Sequence, residues 1–188
     1  MLKIFIKGRI INMLMFILKC VLIVMVFGIS SFIGYLLANK FSSRVSEIND
    51  LLLALEIFET RIKYTYDSIT TTFMYIADNV KTKIYRIFFI TAEEGRENKN
   101  VSAGDIFKQV VDDEKIFLNL NSDDIEILKE LGISLGQTDL EGQLKNIRLV
   151  YNSLKSQLES AKEEKGKNFK LYRNMGVLCG LIIIIILL

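Results

Sequence analysis

Histidine, tryptophan and proline are absent from this chain of 188 residues. Without histidine, the side chain that most often serves as general base, proton shuttle or metal ligand near neutral pH is missing. Without proline, nothing in the sequence forces a helix to break, so helices can run long. Cysteine occurs only twice. Cys20 and Cys179 both lie in apolar runs and read as small buried hydrophobic residues rather than as a disulfide or metal pair. There is no glycine-rich phosphate loop and no metal-ligand spacing. The paired acids Asp112-Asp113 and Asp123-Asp124 read as solvated faces or helix starts. Neither cofactor nor metal is expected, and no constellation points to catalysis.

Acidic residues are missing from both ends. All 22 lie between Glu47 and Glu164, a stretch with 14 of the 24 Lys and Arg and a formal net charge of −8. The other bases form collars: Lys3, Lys7, Arg9, Lys19, Lys40 and Arg44 on one side, Lys165, Lys167, Lys170 and Arg173 on the other. The acidic body argues against a nucleic-acid partner, because phosphate repels it.

Long apolar runs are present, and they explain a hydrophobic content of 51% alongside 24% charged residues. Cys20 to Ala38 contains no charge, and its length approaches the ~20 residues that cross a bilayer as a helix. MLMFIL precedes it, and Lys19 between them can snorkel to the interface. From Leu171, with Arg173 snorkelling, the final helix also just reaches across. The expected plan is therefore a transmembrane helix at 13–38, a cytoplasmic helical bundle at 39–172 and a second transmembrane helix at 173–188. Lys40, Arg44 and the four bases before the second span put the body in the cytoplasm by the positive-inside rule. Lys3, Lys7 and Arg9 argue the opposite way. Met13 would make a sensible start, so residues 1–12 read as an upstream extension. A cleaved signal peptide does not fit, since YLLANK offers no cleavage site.

The body reads as all-α. Phe41, Val45, Ile48, Leu52, Leu55, Ile62 and Tyr66 form one stripe at helical spacing, thickened by Leu51 and Phe58. A second helix is expected over Ile69 to Ala92 and a loop at EEGRENKN, 93–100. Ser102 or Asp105 caps a short helix through Phe117, and NSDD at 121–124 starts another that ends near Gly136. TDLE at 138–141 matches a capping box and opens the longest helix. Its stripe, Leu140, Leu144, Ile147, Tyr151, Leu154, Leu158 and Ala161, has a heptad-like period, which suits core packing or a partner helix. The outline is span, bundle of about five helices, span.

Small residues recur within the spans: Ser30, Gly34 and Ala38 at every fourth position, and Gly176 with Gly180 as a GxxxG. Such faces let helix backbones approach closely in lipid. Two uses fit them: a hairpin of the two spans, or assembly with further copies or other membrane subunits.

With these residues in place, the chain resembles the stage III sporulation protein AB family of endospore-forming bacteria. The segment from LGISLGQTDLEGQLKNIRLVYNSLK to the apolar terminus carries the pattern as Gly132, Gly136, Asp139, Gln143, Lys145, Tyr172, Gly176 and Gly180. LALEIFETRIKYTYDSI supplies Glu59, Ile62 and Tyr64. It departs at Arg61, where an acid is expected, and at Asp67-Ser68-Ile69, where Thr-Pro-Leu is usual. The resemblance implies likeness to the inner-membrane platform proteins of type II secretion and type IV pilus machines. It implies membership of the channel complex between mother cell and forespore. It also implies an anchor in the outer forespore membrane and contact with other channel subunits, among them the stage III AA ATPase.

The favoured expectation is a structural platform with Glu59, Tyr64, Asp139, Gln143 and Lys145 as interaction residues. Helix capping competes with that role at Asp139. The alternative, a membrane-anchored sensor or ligand-binding domain, would need a signalling segment beyond the second span.

Overall fold

A computed structural model describes residues 2–65, 67–98, 100–135 and 140–187, with side chains from Met13 onward apart from those of Cys20, Ser134 and Leu187. Its elements are α1 (Leu2–Tyr64), α2 (Ile69–Asn79), α3 (Tyr85–Glu97), α4 (Ala103–Glu114), a 3-10 turn (Lys115–Phe117), α5 (Ser122–Ser134) and α6 (Leu140–Leu187). No strand occurs among the described residues, so the fold is all-α. The chain divides into two units, Lys40–Lys165 and Met1–Asn39 with Gly166–Leu188.

The unit Lys40–Lys165 is a helical bundle. The stripe on α1 buries Ile48, Leu51, Leu52, Leu55, Phe58 and Ile62. Phe41 and Val45 are half-buried, and Tyr66 lies outside the described residues. The core centres on four phenylalanines from four helices. Phe73 lies 5.2 Å from Phe58, 5.2 Å from Phe88 and 5.6 Å from Phe107, ring centre to ring centre, and Phe88 lies 6.0 Å from Phe107. Each ring contributes roughly 1.5–3 kcal/mol by burial and the tilted pairs about 0.5–1.5 kcal/mol more. The seam of α6 is spent on this core. Ile147, Leu154, Leu158 and Ala161 are buried, with Val150 beside them. Tyr151 and Leu144 are half-buried, and Leu140 alone is turned out.

Local signals set several helix starts. Ser102 caps α4 by accepting the Gly104 N–H at 3.2 Å. Asn121 caps α5 with a full capping box, its side chain accepting from Asp124 N and the Asp124 carboxylate accepting from Asn121 N. The expected end of α5 near Gly136 and the capping box begun by Thr138 fall on residues outside those described. α6 runs unbroken through Gly166.

Two boundaries differ from the expectation. The single helix expected over 69–92 is split into α2 and α3, giving six α-helices among the described residues where about five were expected. Val80 is extended, and the Asp50 carboxylate on α1 accepts the N–H groups of Lys81 and Thr82 at 2.9 and 2.6 Å. The expected loop at 93–100 begins only at Asn98, because α3 continues to Glu97. Gly95, which suggested the loop, is a packing glycine: a Cβ there would come within 2.8 Å of the Thr70 methyl on α2.

In the other unit, α1 over Met13–Tyr64 and α6 over Leu140–Ile186 each contain a stretch long and apolar enough to cross a membrane. Their large apolar side chains are mostly exposed. Cys179 is exposed and unpaired rather than buried.

Candidate functional site

Three constellations stand out. The first joins the two apolar stretches. Gly34 and Gly176 meet backbone to backbone, and a Cβ on Gly34 would lie 2.6 Å from the Gly176 Cα. The Ser30 hydroxyl donates to the Gly176 carbonyl at 2.7 Å. Gly180 packs on Phe27 and Ser30, and Ala38 is buried. Small side chains are needed here because the spacing leaves no room for others. The structure thus brings Ser30, Gly34, Gly176 and Gly180 into one intrachain contact.

The second lies at the end of the bundle where α1 finishes and α6 begins. Glu59 Oε1 accepts from Nε and Nη2 of Arg148 at 2.9 and 2.8 Å. Glu56 accepts from the Tyr151 hydroxyl at 3.0 Å, a bond that raises the phenol pKa above its ordinary value. Lys145 lines an open groove of about 640 Å³ on α6 with Glu141, Leu144, Arg148 and Leu149. Gln143 is half-buried on the same turns. Tyr64 is exposed, with the Lys63 ammonium 5.1 Å from its ring centre. Asp139 lies outside the described residues. The two departures from the family pattern pair with each other: Arg61 contacts Asp67 at 2.6–2.8 Å and stacks on Tyr75 at 4.0 Å. Ser68, where proline is usual, caps α2 by accepting from Thr71 N.

The third was not foreseen. Arg44, expected as a collar base, is buried. Its guanidinium donates to both oxygens of buried Asp124, to Gln157 Oε1 at 3.0 Å and to Glu164 Oε2 at 2.8 Å. The hydrogen bond to Asp124 holds its pKa above the ordinary arginine value. One turn on, the buried Glu47 carboxylate accepts from Asn119 N at 2.7 Å and from Asn119 Nδ2 at 2.9 Å. Burial pushes Glu47 above the usual carboxylate range. Asp124 is therefore a helix start, as expected, but not a solvated one. The only sequence signal for this cluster is a charged residue on the apolar-facing side of α1.

Elsewhere Arg86 forms a fork with Glu114 at 2.5 and 2.9 Å, and that hydrogen bonding lowers the Glu114 pKa. Among the described residues no group of three or more Cys, Asp or Glu is placed to hold a metal ion.

Comparison with known proteins places this architecture. The family model for stage III sporulation protein AB matches residues 19–188. The stage III sporulation protein AB of Bacillus subtilis (strain 168) is 27% identical over 158 residues, covering 82% of this chain and 90% of that protein. A solved structure of a stage III sporulation protein AB superposes with a TM-score of 0.62 at 24% identity, covering 66% of this chain and 98% of that one; it shares the fold. These matches are to a sporulation family and not to an enzyme family. The all-α bundle with two apolar helices belongs to the stage III sporulation protein AB family, and its role is in sporulation.

Proposed function

We propose that the chain is a non-catalytic platform of the channel between mother cell and forespore. α1 and α6 cross the outer forespore membrane, the bundle stands in the mother-cell cytoplasm, and its far end docks the stage III AA ATPase and other channel subunits. The observation that carries this reading is the placement of groups within the unit Lys40–Lys165. Arg44 and Glu164 meet at the end where both helices leave towards their apolar stretches. Glu59, Arg148 and Lys145 gather at the opposite end, beside exposed Tyr64 and Leu149. That end offers a partner an arginine, an exposed tyrosine and apolar contact area, and Arg and Tyr are among the residue types enriched at interfaces. Lys40, Arg44 and the four bases before the second apolar stretch agree with a cytoplasmic body, against the vote of Lys3, Lys7 and Arg9.

Cysteine labelling in intact sporulating cells tests it. Cys20 and Cys179 are replaced by serine, and Asn98→Cys, on the exposed turn after α3, is the reporter. Protection from an impermeant reagent until permeabilisation is the expected result. Labelling in intact cells, with a cytosolic control unlabelled, would put the bundle outside, remove the ATPase from its reach and favour a sensor.

A further inference from the structure

We infer that the outward face of α1 over residues 46–60 is a contact surface for a second copy of this chain, the two α1 helices packing side by side and parallel about a two-fold axis. Ser46, Asn49, Leu53, Ile57 and Thr60 recur at three and four residues and so share one side of the helix. Ile57 is half-buried and the other four are exposed. None is charged, although six residues between Val45 and Tyr64 are. Each of those six has a partner in its own chain. Glu47 holds Asn119, Asp50 the N–H groups of Lys81 and Thr82, and Glu56 the Tyr151 hydroxyl. Glu59 holds Arg148, Arg61 holds Asp67, and Lys63 lies by the Tyr64 ring. Two polar members of the stripe are satisfied on their own helix: Ser46 Oγ donates to the Ser42 carbonyl at 3.3 Å and Asn49 Nδ2 to the Val45 carbonyl at 2.7 Å. Such a face loses its water at little cost.

What lies beside the stripe identifies the occupant. Leu53 is 40% exposed and stands at the edge of a groove of about 330 Å³ between α1 and α6, floored by Leu52 and Leu158. A projecting apolar side chain and an apolar hollow on one face are what a two-fold contact needs, since each copy must supply both. The uncharged stripe suits it too: in a parallel pair each residue meets its own copy, and a charge would meet its like. The flanks set the direction. Asp50 and Glu56 fall on opposite sides of the stripe at helical spacing. On the Glu56 side, the groove's rim holds Glu56 bonded to Tyr151 and Lys162 bonded to Glu159, which leaves Lys155 with no ion pair among the described residues. On the other side Asp50 has no ion pair among them either, and the turn it holds carries Asp78 and Lys81, opposite in sign. Parallel two-fold packing sets each flank against the opposite flank of its mate, so Lys155 meets the partner's Asp50. Antiparallel packing about Leu53 sets like flanks together, Lys155 against the partner's Lys155. One helix face of about 21 Å is a small interface, so the pair forms reversibly.

The test uses the full chain in mild detergent with Cys20 and Cys179 as serine and one reporter, Ser46→Cys, Leu53→Cys or Thr60→Cys, treated with a short bismaleimide. Ile133→Cys, exposed on α5, is the control. Circular dichroism first checks that each variant keeps the fold. All three stripe positions should give covalent dimers several-fold faster than position 133. Lys155→Glu, exposed on α6, should slow the reaction of the Leu53→Cys chain several-fold by setting a carboxylate against the partner's Asp50. Equal rates at 133 and along the stripe overturn the contact surface. Reaction at 53 with none at 46 and 60 means an antiparallel pair and overturns the parallel one. An unaltered rate in the Lys155→Glu chain overturns the pairing of flanks and with it the direction.

Discussion

Arg44 and Asp124 face each other in the interior of the bundle, with Nε and Nη2 of the guanidinium 2.8 and 3.1 Å from the two carboxylate oxygens. They come from α1 and α5, 80 residues apart, and are 5% and 0% exposed. Asp124 also accepts the Asn121 N–H, and Gln157 and Glu164 complete the arginine's bonds. Two buried charges lose their hydration, and the pair recovers it only because nearly every donor and acceptor is matched.

The consequence is asymmetric. Asp124→Ala strips the arginine of its main partner and opens the α5 cap, and should cost about 3–5 kcal/mol. Arg44→Met should cost a similar amount. The double variant Arg44→Met/Asp124→Leu should be far less damaging than the two single losses added together, because no buried charge remains unpaired. Urea unfolding of the full chain in mild detergent, followed by circular dichroism, completes this cycle. Additive losses would show that the pair does not act as a unit.

Glu47 gives the pH behaviour a direction. Burial raises its folded pKa above the unfolded one, so the folded state holds this proton to higher pH. Its contribution therefore favours folding at low pH and is lost as pH rises through the window above about 4.3. Glu114 works the other way. The Arg86 hydrogen bond lowers its folded pKa, so its contribution is present above the unfolded value and lost as pH falls through the folded one. Replacing Glu47 by Gln removes the first of these. Relative to the parent, the Gln variant should gain stability as pH rises across the Glu47 window. Its absolute stability also registers a lost acceptor for Asn119, so the trend with pH is the quantity to compare. A pH-independent difference would refute the assignment.

Gly104 and Gly132 mark where α4 crosses α5. A Cβ on Gly104 would run into the Gly132 carbonyl, and one on Gly132 would lie 3.0 Å from the Gly104 carbonyl. Backbone cannot move aside as a side-chain tip can. Gly104→Ala should therefore lower stability by about 1–3 kcal/mol, although alanine favours an isolated helix. Gly166→Ala, with open space around it, should be neutral or slightly stabilising by the same unfolding assay.

What could be read from the sequence follows the range of the forces involved. Ser102 and Asn121 cap their helices through bonds within three residues, so those starts were legible. The seams on α1 and α6 were legible because helical period alone selects the buried face. The break between α2 and α3 was not, since the carboxylate holding Lys81 and Thr82 lies some thirty residues earlier, at Asp50. Arg44 looked like a collar base because its partners lie 80, 113 and 120 residues away. Gly95 was taken as loop chemistry when its reason is the approach of Thr70. At the far end, Glu59 and Lys145 could be picked out as residues, but the Arg148 fork that fixes Glu59 could not.

Small residues four apart in two apolar runs left a hairpin and an assembly between copies both open, and the contact of Gly34 with Gly176 gives a way to separate them. A Cβ on Gly180 would lie 3.4 Å from the Ser30 Cβ, close to the separation a disulfide bridges. With Cys20 and Cys179 replaced by serine, the pair Ser30→Cys and Gly180→Cys should oxidise within one chain and run as a monomer on a non-reducing gel. Adding Gly34→Leu should abolish that crosslink, because the leucine would have to occupy the space of the Gly176 backbone, 2.6–3.0 Å from a Cβ. Crosslinked dimers in place of the internal bridge would assign the glycine face to contacts between copies. In that case Gly34→Leu should still suppress the bond, since any close backbone approach there needs the missing side chain.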